Sequence, residues 1–180
     1  PFKVSKNRSI SDFIKINKKI NAPHRVKPFE IELWKTNKTN YDKELIIFMP
    51  GLGGEINNFK WIGNELTGRG WPIVFIDHRG SNLKAITEVI QEGKSIPGSA
   101  DFFLYRIKDL DAVLKAHENG EFGLPNNSYI LMGHSLGALI ALLYESNKPT
   151  DQLEDRCDSA LKDFALTNLS KLLQCQLTEI

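Results

Sequence analysis

Hydrophobic positions along this chain form short apolar runs that are separated by longer stretches with helical spacing. Three runs have the length of buried strands: residues 45–49, 72–77 and 128–132. Residues 29–34 instead alternate apolar and polar positions, which predicts an early antiparallel strand. Helical spacing occurs in the segments between and after these runs: residues 57–69, 83–92, 100–119 and 138–144. Strands that alternate with helices predict an α/β fold, with a mostly parallel sheet and helices on both faces.

The two ends of the chain differ from this middle part. Apolar residues between Ile10 and Ile20 suggest a short amphipathic helix, with Ser9 as its cap. Near the C-terminus, apolar residues recur at helical spacing in two short segments. These resemble either a lid over a site or ordinary helices that cover the sheet. We therefore predict three parts: a basic N-terminal arm (1–27), a core (28–149) and a helical cap-like segment (150–180).

A Gly-x-Ser-x-Gly motif, Gly133 to Gly137, follows the last apolar run and precedes a predicted helix. This is the context of a nucleophile elbow, a sharp turn on which a serine hydroxyl stands clear of the backbone. Side chains at the two flanking glycines would collide across such a turn. Ser135 is therefore the candidate nucleophile, and the alternative is a strand-to-helix turn without chemistry.

A second motif, Pro50-Gly51-Leu52-Gly53-Gly54, follows the apolar run at 45–49. A phosphate-binding loop is disfavoured, because the segment has neither a Gly-Lys-Ser/Thr ending nor a Gly-x-Gly-x-x-Gly pattern. An oxyanion loop fits better, since acyl transfer to serine needs two backbone N–H groups that already point at the carbonyl oxygen. The predicted donors are the N–H groups of Leu52 and of Leu136, the residue after the nucleophile.

Together these segments resemble the α/β-hydrolase family over residues 28–146. The closest resemblance is to the branch of dienelactone-hydrolase-like and platelet-activating-factor-acetylhydrolase-like enzymes. It rests on the glycine loop, the strand that ends in Asp77-His78, and the serine motif. One departure is Pro50, which stands where the family's loop usually has histidine. The resemblance implies a serine hydrolase that cleaves carboxylic esters, or lipid esters, through an acyl-enzyme on Ser135.

The acid and histidine that such an enzyme needs are not apparent in the sequence. In this family the chain order is serine, acid, histidine, yet no histidine follows Ser135. We expect His134 to be unable to reach the serine hydroxyl, because neighbouring side chains diverge on such a turn. His78 follows a strand end and could lie near the site, although in the family that the chain resembles this position serves a turn. We expect His117 to be solvated late in a helix and His24 to lie in the basic arm. We also expect Asp77 to brace the loop after its strand rather than to act as the acid.

The simplest hypothesis is that this sequence is the N-terminal portion of a longer hydrolase, with the acid and base beyond residue 180. The strand at 128–132 would then lie at or near a sheet edge. An alternative from a different class is a non-catalytic binding protein of the same fold, in which the pocket persists without a triad.

Composition narrows the remaining possibilities. The chain has 180 residues, of which 41% are hydrophobic and 25% charged, as expected for one globular domain. No apolar run reaches the roughly 18 residues of a membrane span, and no signal-peptide pattern is present, so we expect a cytoplasmic location. Cys157 and Cys175 are free thiols or one disulfide, and their spacing matches no metal or redox motif. No cofactor is expected.

Net charge is uneven: residues 1–43 carry +7, although the whole chain carries only +1. The basic segment either attracts the protein to an anionic lipid surface or simply docks on its own domain. Nucleic acid is disfavoured as a partner, because no aromatic residues are interleaved with the basic ones. The sequence does not indicate an oligomeric state.

Overall fold

A computed structural model describes residues 13–37, 42–93, 99–125 and 127–145. The strands are β1 (Phe13–Ile20), β2 (Phe29–Thr36), β3 (Leu45–Met49), β4 (Ile73–Asp77) and β5 (Tyr129–Gly133). The helices are α1 (Lys60–Gly68), α2 (Leu83–Gln91), α3 (Ser99–Glu118) and α4 (Leu136–Glu145), and a 3-10 turn at Ile56–Phe59 leads into α1.

The five strands form one sheet in the order β1-β2-β4-β3-β5. β3 pairs in parallel with both β4 and β5, whereas β1, β2 and β4 pair in antiparallel fashion. The predicted α/β fold and the early antiparallel strand are confirmed. Among the described residues β5 pairs with β3 alone, so it lies at a sheet edge, as predicted, with Ile130 39% exposed.

Alternate residues of the central strands supply two cores, one on each face of the sheet. In β3, Leu45, Ile47 and Met49 pack with residues of α3 and α4. The intervening Ile46 and Phe48 pack on the opposite face with Trp34, Phe75 and apolar residues of α1. A strand that is buried on both faces reads as a continuous apolar run, which explains why β3 and β4 were recognisable in the sequence.

Residues 13–20 form a strand, so the predicted amphipathic helix is wrong over this segment; Ser9 and Ile10 lie outside the described residues. β1 pairs with β2 along its whole length, from Phe13 opposite Thr36 to Ile20 opposite Phe29. Burial alternates from Ile14 to Ile20, with all three isoleucines at the less exposed positions, and isoleucine favours extended backbone. The Lys15 Nζ lies 3.5 Å from the centre of the Trp34 ring, so this basic residue of β1 packs on the neighbouring strand β2.

The prediction for His117 is also wrong. Its side chain is buried in α3 and stacks on Phe122, because that position of the helix faces the sheet. The predicted helices after residue 150, and both cysteines, lie outside the described residues. None of the helices in the described part of the chain is both long enough and apolar enough to cross a membrane.

Replacing Gly63 with alanine is expected to destabilise the fold. A Cβ atom at this position of α1 would lie 2.5 Å from the buried Trp34 ring, which has no room to move. Overpacking of this kind costs about 1–3 kcal/mol. Gly68→Ala in the same helix is the matched control, since nothing lies within 4 Å of its Cβ position. Urea unfolding that ranks Gly63→Ala as stable as Gly68→Ala would contradict this packing.

Candidate active site

Ser135 occupies the turn between β5 and α4 with a φ of +52°. It is the single non-glycine residue with positive φ among the residues that the structure describes. This left-handed conformation is costly for a residue with a Cβ, and such strain clusters at functional sites. Ser135 is an exposed residue of the turn rather than a buried one. The turn therefore holds an exposed serine in an unfavourable backbone conformation.

The glycines on both sides of the turn are required by packing. A methyl group on Gly133 would overlap the backbone of Gly137, and one on Gly137 would overlap the carbonyl of Met49 at the end of β3. The His134 N–H donates to the Met49 carbonyl at 3.1 Å, which joins the turn to that strand end. Close approach of three backbone segments therefore fixes the turn, as the sequence pattern predicted.

The glycine loop after β3 lies directly against this turn. A Cβ atom on Gly51 would be 3.1 Å from the Ser135 Cβ and 3.2 Å from the His134 carbonyl oxygen. Met49 and Gly133 are paired residues of neighbouring parallel strands, so the loop and the serine turn leave the same edge of the sheet side by side. The structure thus places the glycine loop, which contains Leu52, against the turn that carries Ser135 and Leu136.

Backbone N–H groups of Leu52 and Leu136 have no hydrogen-bond acceptor among the described residues. Their neighbours are bonded: the Gly53 N–H donates to the Ser81 carbonyl at 2.9 Å, and the Gly137 N–H donates to the His134 carbonyl at 2.9 Å. Two unpaired donors beside an exposed hydroxyl are what stabilisation of an oxyanion requires.

Arg106 of α3 lies behind the glycine loop and is 1% exposed. Its guanidinium donates to the carbonyls of Pro50 (2.6 Å) and Gly51 (3.0 Å), and to the Ser81 hydroxyl (2.8 Å). Burial lowers the pKa of Arg106 to about 10, so it remains charged at neutral pH. Sequence reasoning missed this residue. The signal available was an arginine between the apolar positions 103, 107 and 110 of the predicted helix at 100–119.

One turn further along α3, Asp109 collects a second set of contacts. Its carboxylate accepts from Arg25 (2.6 and 2.9 Å), from His24 (2.8 Å) and from Nδ1 of His78 (3.0 Å). Burial would raise the pKa of Asp109, but these hydrogen bonds hold it below its ordinary value. His24 was expected in a basic arm; it instead joins the segment between β1 and β2 to α3.

The four histidines all have contacts away from the Ser135 hydroxyl. His24 and His78 contact Asp109, the His117 Nε2 is 3.4 Å from the Ser128 carbonyl oxygen, and the His134 ring packs on Phe59. No histidine or carboxylate among the described residues forms a hydrogen bond with the Ser135 hydroxyl.

Asp77 performs the bracing role that was predicted for it. Its carboxylate accepts from the side-chain amide of Asn82 at 2.9 Å, and Asn82 in turn caps α2 by accepting from the Ala85 N–H. Burial raises the pKa of Asp77. The pair fixes the turn between β4 and α2, next to Ser81 and the glycine loop.

A mixed sheet with helices on both faces, and a serine turn beside a glycine loop at the carboxyl ends of its parallel strands, define an α/β hydrolase. Residues 41–154, more than half of the chain, match the serine aminopeptidase S33 family. The chain belongs to this family. No curated protein matches the chain at a significant level of sequence similarity.

Solved structures with the same fold include several hydrolases. The acylaminoacyl peptidase of Pyrococcus horikoshii superposes with a TM-score of 0.56 at 13% identity, over 77% of this chain and 22% of that one. Esterase Est22 with p-nitrophenol superposes with a TM-score of 0.55 at 13% identity, over 83% of this chain and 41% of the esterase. A Klebsiella pneumoniae protein assigned as a dienelactone hydrolase superposes with a TM-score of 0.52 at 15% identity, over 76% of this chain and 57% of that protein. The chain therefore spans between about a fifth and three fifths of the lengths of these structures.

Acidification is expected to destabilise the fold through His78. Burial, helped by the charge of Arg106, lowers the pKa of His78 from 6.5 to about 4. The unfolded chain therefore takes up this proton at a higher pH than the folded chain. The stabilisation is complete above pH 6.5 and is lost as the pH falls towards 4. This shift in the pKa of His78 corresponds to a loss of about 3 kcal/mol in the free energy of unfolding.

Urea unfolding at pH 7 and pH 4.5 measures this effect. The matched variant is His78→Asn, whose amide can replace the Nδ1 donor to Asp109 but does not titrate. The free energy of unfolding is expected to fall strongly from pH 7 to pH 4.5 in the wild type, and much less in the variant. The same pH dependence in both proteins would rule out His78 as the source.

Proposed function

We propose that the protein hydrolyses carboxylic esters, with Ser135 as the nucleophile and the N–H groups of Leu52 and Leu136 as the oxyanion donors. The observation that carries this proposal is the positive φ of Ser135. The turn holds an exposed hydroxyl in a costly conformation beside two unpaired backbone donors, and a merely structural turn needs neither feature.

In the proposed reaction, the Ser135 hydroxyl gives its proton to a general base while its oxygen forms a bond to the ester carbonyl carbon. The carbonyl oxygen becomes negatively charged and accepts from the two N–H groups. Collapse breaks the ester C–O bond, the alcohol leaves with a proton, and water then releases the acid from the acyl-enzyme. The base and its acid partner are proposed to lie outside the 180 residues of this sequence, in keeping with the fraction of each related structure that the chain spans.

Labelling with a fluorophosphonate tests the nucleophile directly. The whole natural protein is expected to react at Ser135, since the reagent phosphonylates an activated serine, and mass spectrometry of peptides locates the adduct. Ser135→Ala should abolish labelling. Ser128→Ala, an exposed serine just before β5, is the control and should label like the wild type. Absence of reaction at Ser135 would favour the alternative of a non-catalytic binding protein.

The choice between esters and peptides is tested by turnover. Esterase Est22 is among the structures that share this fold, whereas the family description refers to aminopeptidases. We expect kcat/KM for p-nitrophenyl esters to exceed that for aminoacyl p-nitroanilides, with both rates lost in Ser135→Ala. A preference for the anilides would keep the serine mechanism but replace the ester substrate with a peptide.

A further inference from the structure

We infer that Arg106 is a positioning residue for the oxyanion loop: its buried guanidinium clamps the backbone on the N-terminal side of Leu52. This inference rests on the proposed function. It concerns a residue on a helix far from Ser135 in sequence, to which neither the family match nor the sequence motifs assign a role.

The clamp is built from consecutive backbone groups. One guanidinium nitrogen of Arg106 donates to the Pro50 carbonyl at 2.6 Å, and a second donates to the Gly51 carbonyl at 3.0 Å. On the other side of Leu52, the Gly53 N–H donates to the Ser81 carbonyl at 2.9 Å. Every peptide group next to the Leu52 N–H is therefore held, whereas that N–H itself has no acceptor among the described residues.

Ser81 connects the two sides of the clamp. Its hydroxyl accepts from Nε of Arg106 at 2.8 Å, and its carbonyl accepts from both the Gly53 N–H and, at 3.4 Å, the Arg106 guanidinium. Ser81 is itself buried and donates to the His78 carbonyl at 3.2 Å. The loop after β3 and the turn after β4 are thus fixed to one cation.

Only arginine has the planar fork that can reach these acceptors at once. Lysine carries the same charge on a single nitrogen, so it cannot donate along three directions in one plane. A buried cation is costly unless its hydrogen-bonding groups are satisfied, and here backbone carbonyls satisfy them. A mere stabilising role would need no such convergence on the two residues before a catalytic donor.

The test is Arg106→Lys in the whole natural protein. A displacement of about 1 Å in a catalytic group costs roughly 100-fold in rate. We expect kcat for a p-nitrophenyl ester to fall by about that factor with KM within about twofold, because the lost interaction acts in the transition state. Hydrogen exchange of the peptide that contains residues 50–54 should become faster at the same time.

Arg25→Lys is the matched control. Arg25 is also largely buried and donates to a carboxylate and to the Arg79 carbonyl, but it does not contact the glycine loop. The Arg25→Lys variant should be less stable than the wild type but should have the same kcat. Should Arg106→Lys fail to fold, Ser81→Ala removes one acceptor of the same guanidinium, and a smaller fall in kcat at constant KM is expected.

The outcomes separate the two hypotheses. A wild-type protein that does not react with a fluorophosphonate at Ser135 overturns the proposed function, and the exchange measurement then still shows whether Arg106 holds the loop. A reactive wild type with unchanged kcat in folded Arg106→Lys, or in Ser81→Ala, overturns the positioning role. Equal losses of kcat in Arg106→Lys and Arg25→Lys would also overturn it, because the effect would then be one of general stability.

Discussion

The arrangement of this site depends on a cation placed inside the protein. The Arg106 guanidinium is almost completely buried, yet it remains charged at neutral pH and bonds to backbone carbonyls after β3 and to Ser81 after β4. Such a group is tolerated inside a protein only where its donors are satisfied. Two loops therefore converge on α3, and the pairing of β3 with β5 places one of them, the glycine loop, beside the turn that carries Ser135. Asp109, one turn away, ties the segment between β1 and β2 to the same helix.

Backbone packing completes what the cation begins. Packing requires glycine at positions 133 and 137, a Cβ on Gly51 would lie only 3.1 Å from the Ser135 Cβ, and the serine itself adopts a left-handed conformation. In an α/β sheet the carboxyl ends of parallel strands meet at one edge, where sites are commonly found. Here that edge carries an exposed hydroxyl and two unpaired N–H groups. The strained turn positions Ser135, and the Arg106 clamp holds the glycine loop beside that turn.

Much of this fold was predictable, because β3 and β4 are continuous apolar runs and the serine motif stands between a strand and a helix. The two glycine motifs also marked the loop at 50–54 and the turn at 133–137, which the structure places side by side. What the sequence could not indicate was long-range pairing. Arg106 is more than fifty residues from the Pro50 and Gly51 carbonyls that it binds, and no local pattern marks such a contact. The strand at Phe13–Ile20 was mistaken for a helix because its scattered isoleucines fit either spacing, and only its partner β2 decides between them.

A crystal structure of the whole protein after reaction with a phosphonate would test the central claim most directly. The account predicts an adduct on Ser135 whose phosphoryl oxygen lies about 2.7–3.1 Å from the nitrogens of both Leu52 and Leu136, with Arg106 still bound to the carbonyls before Leu52. An adduct on another residue, or a phosphoryl oxygen that points away from these two donors, would contradict it.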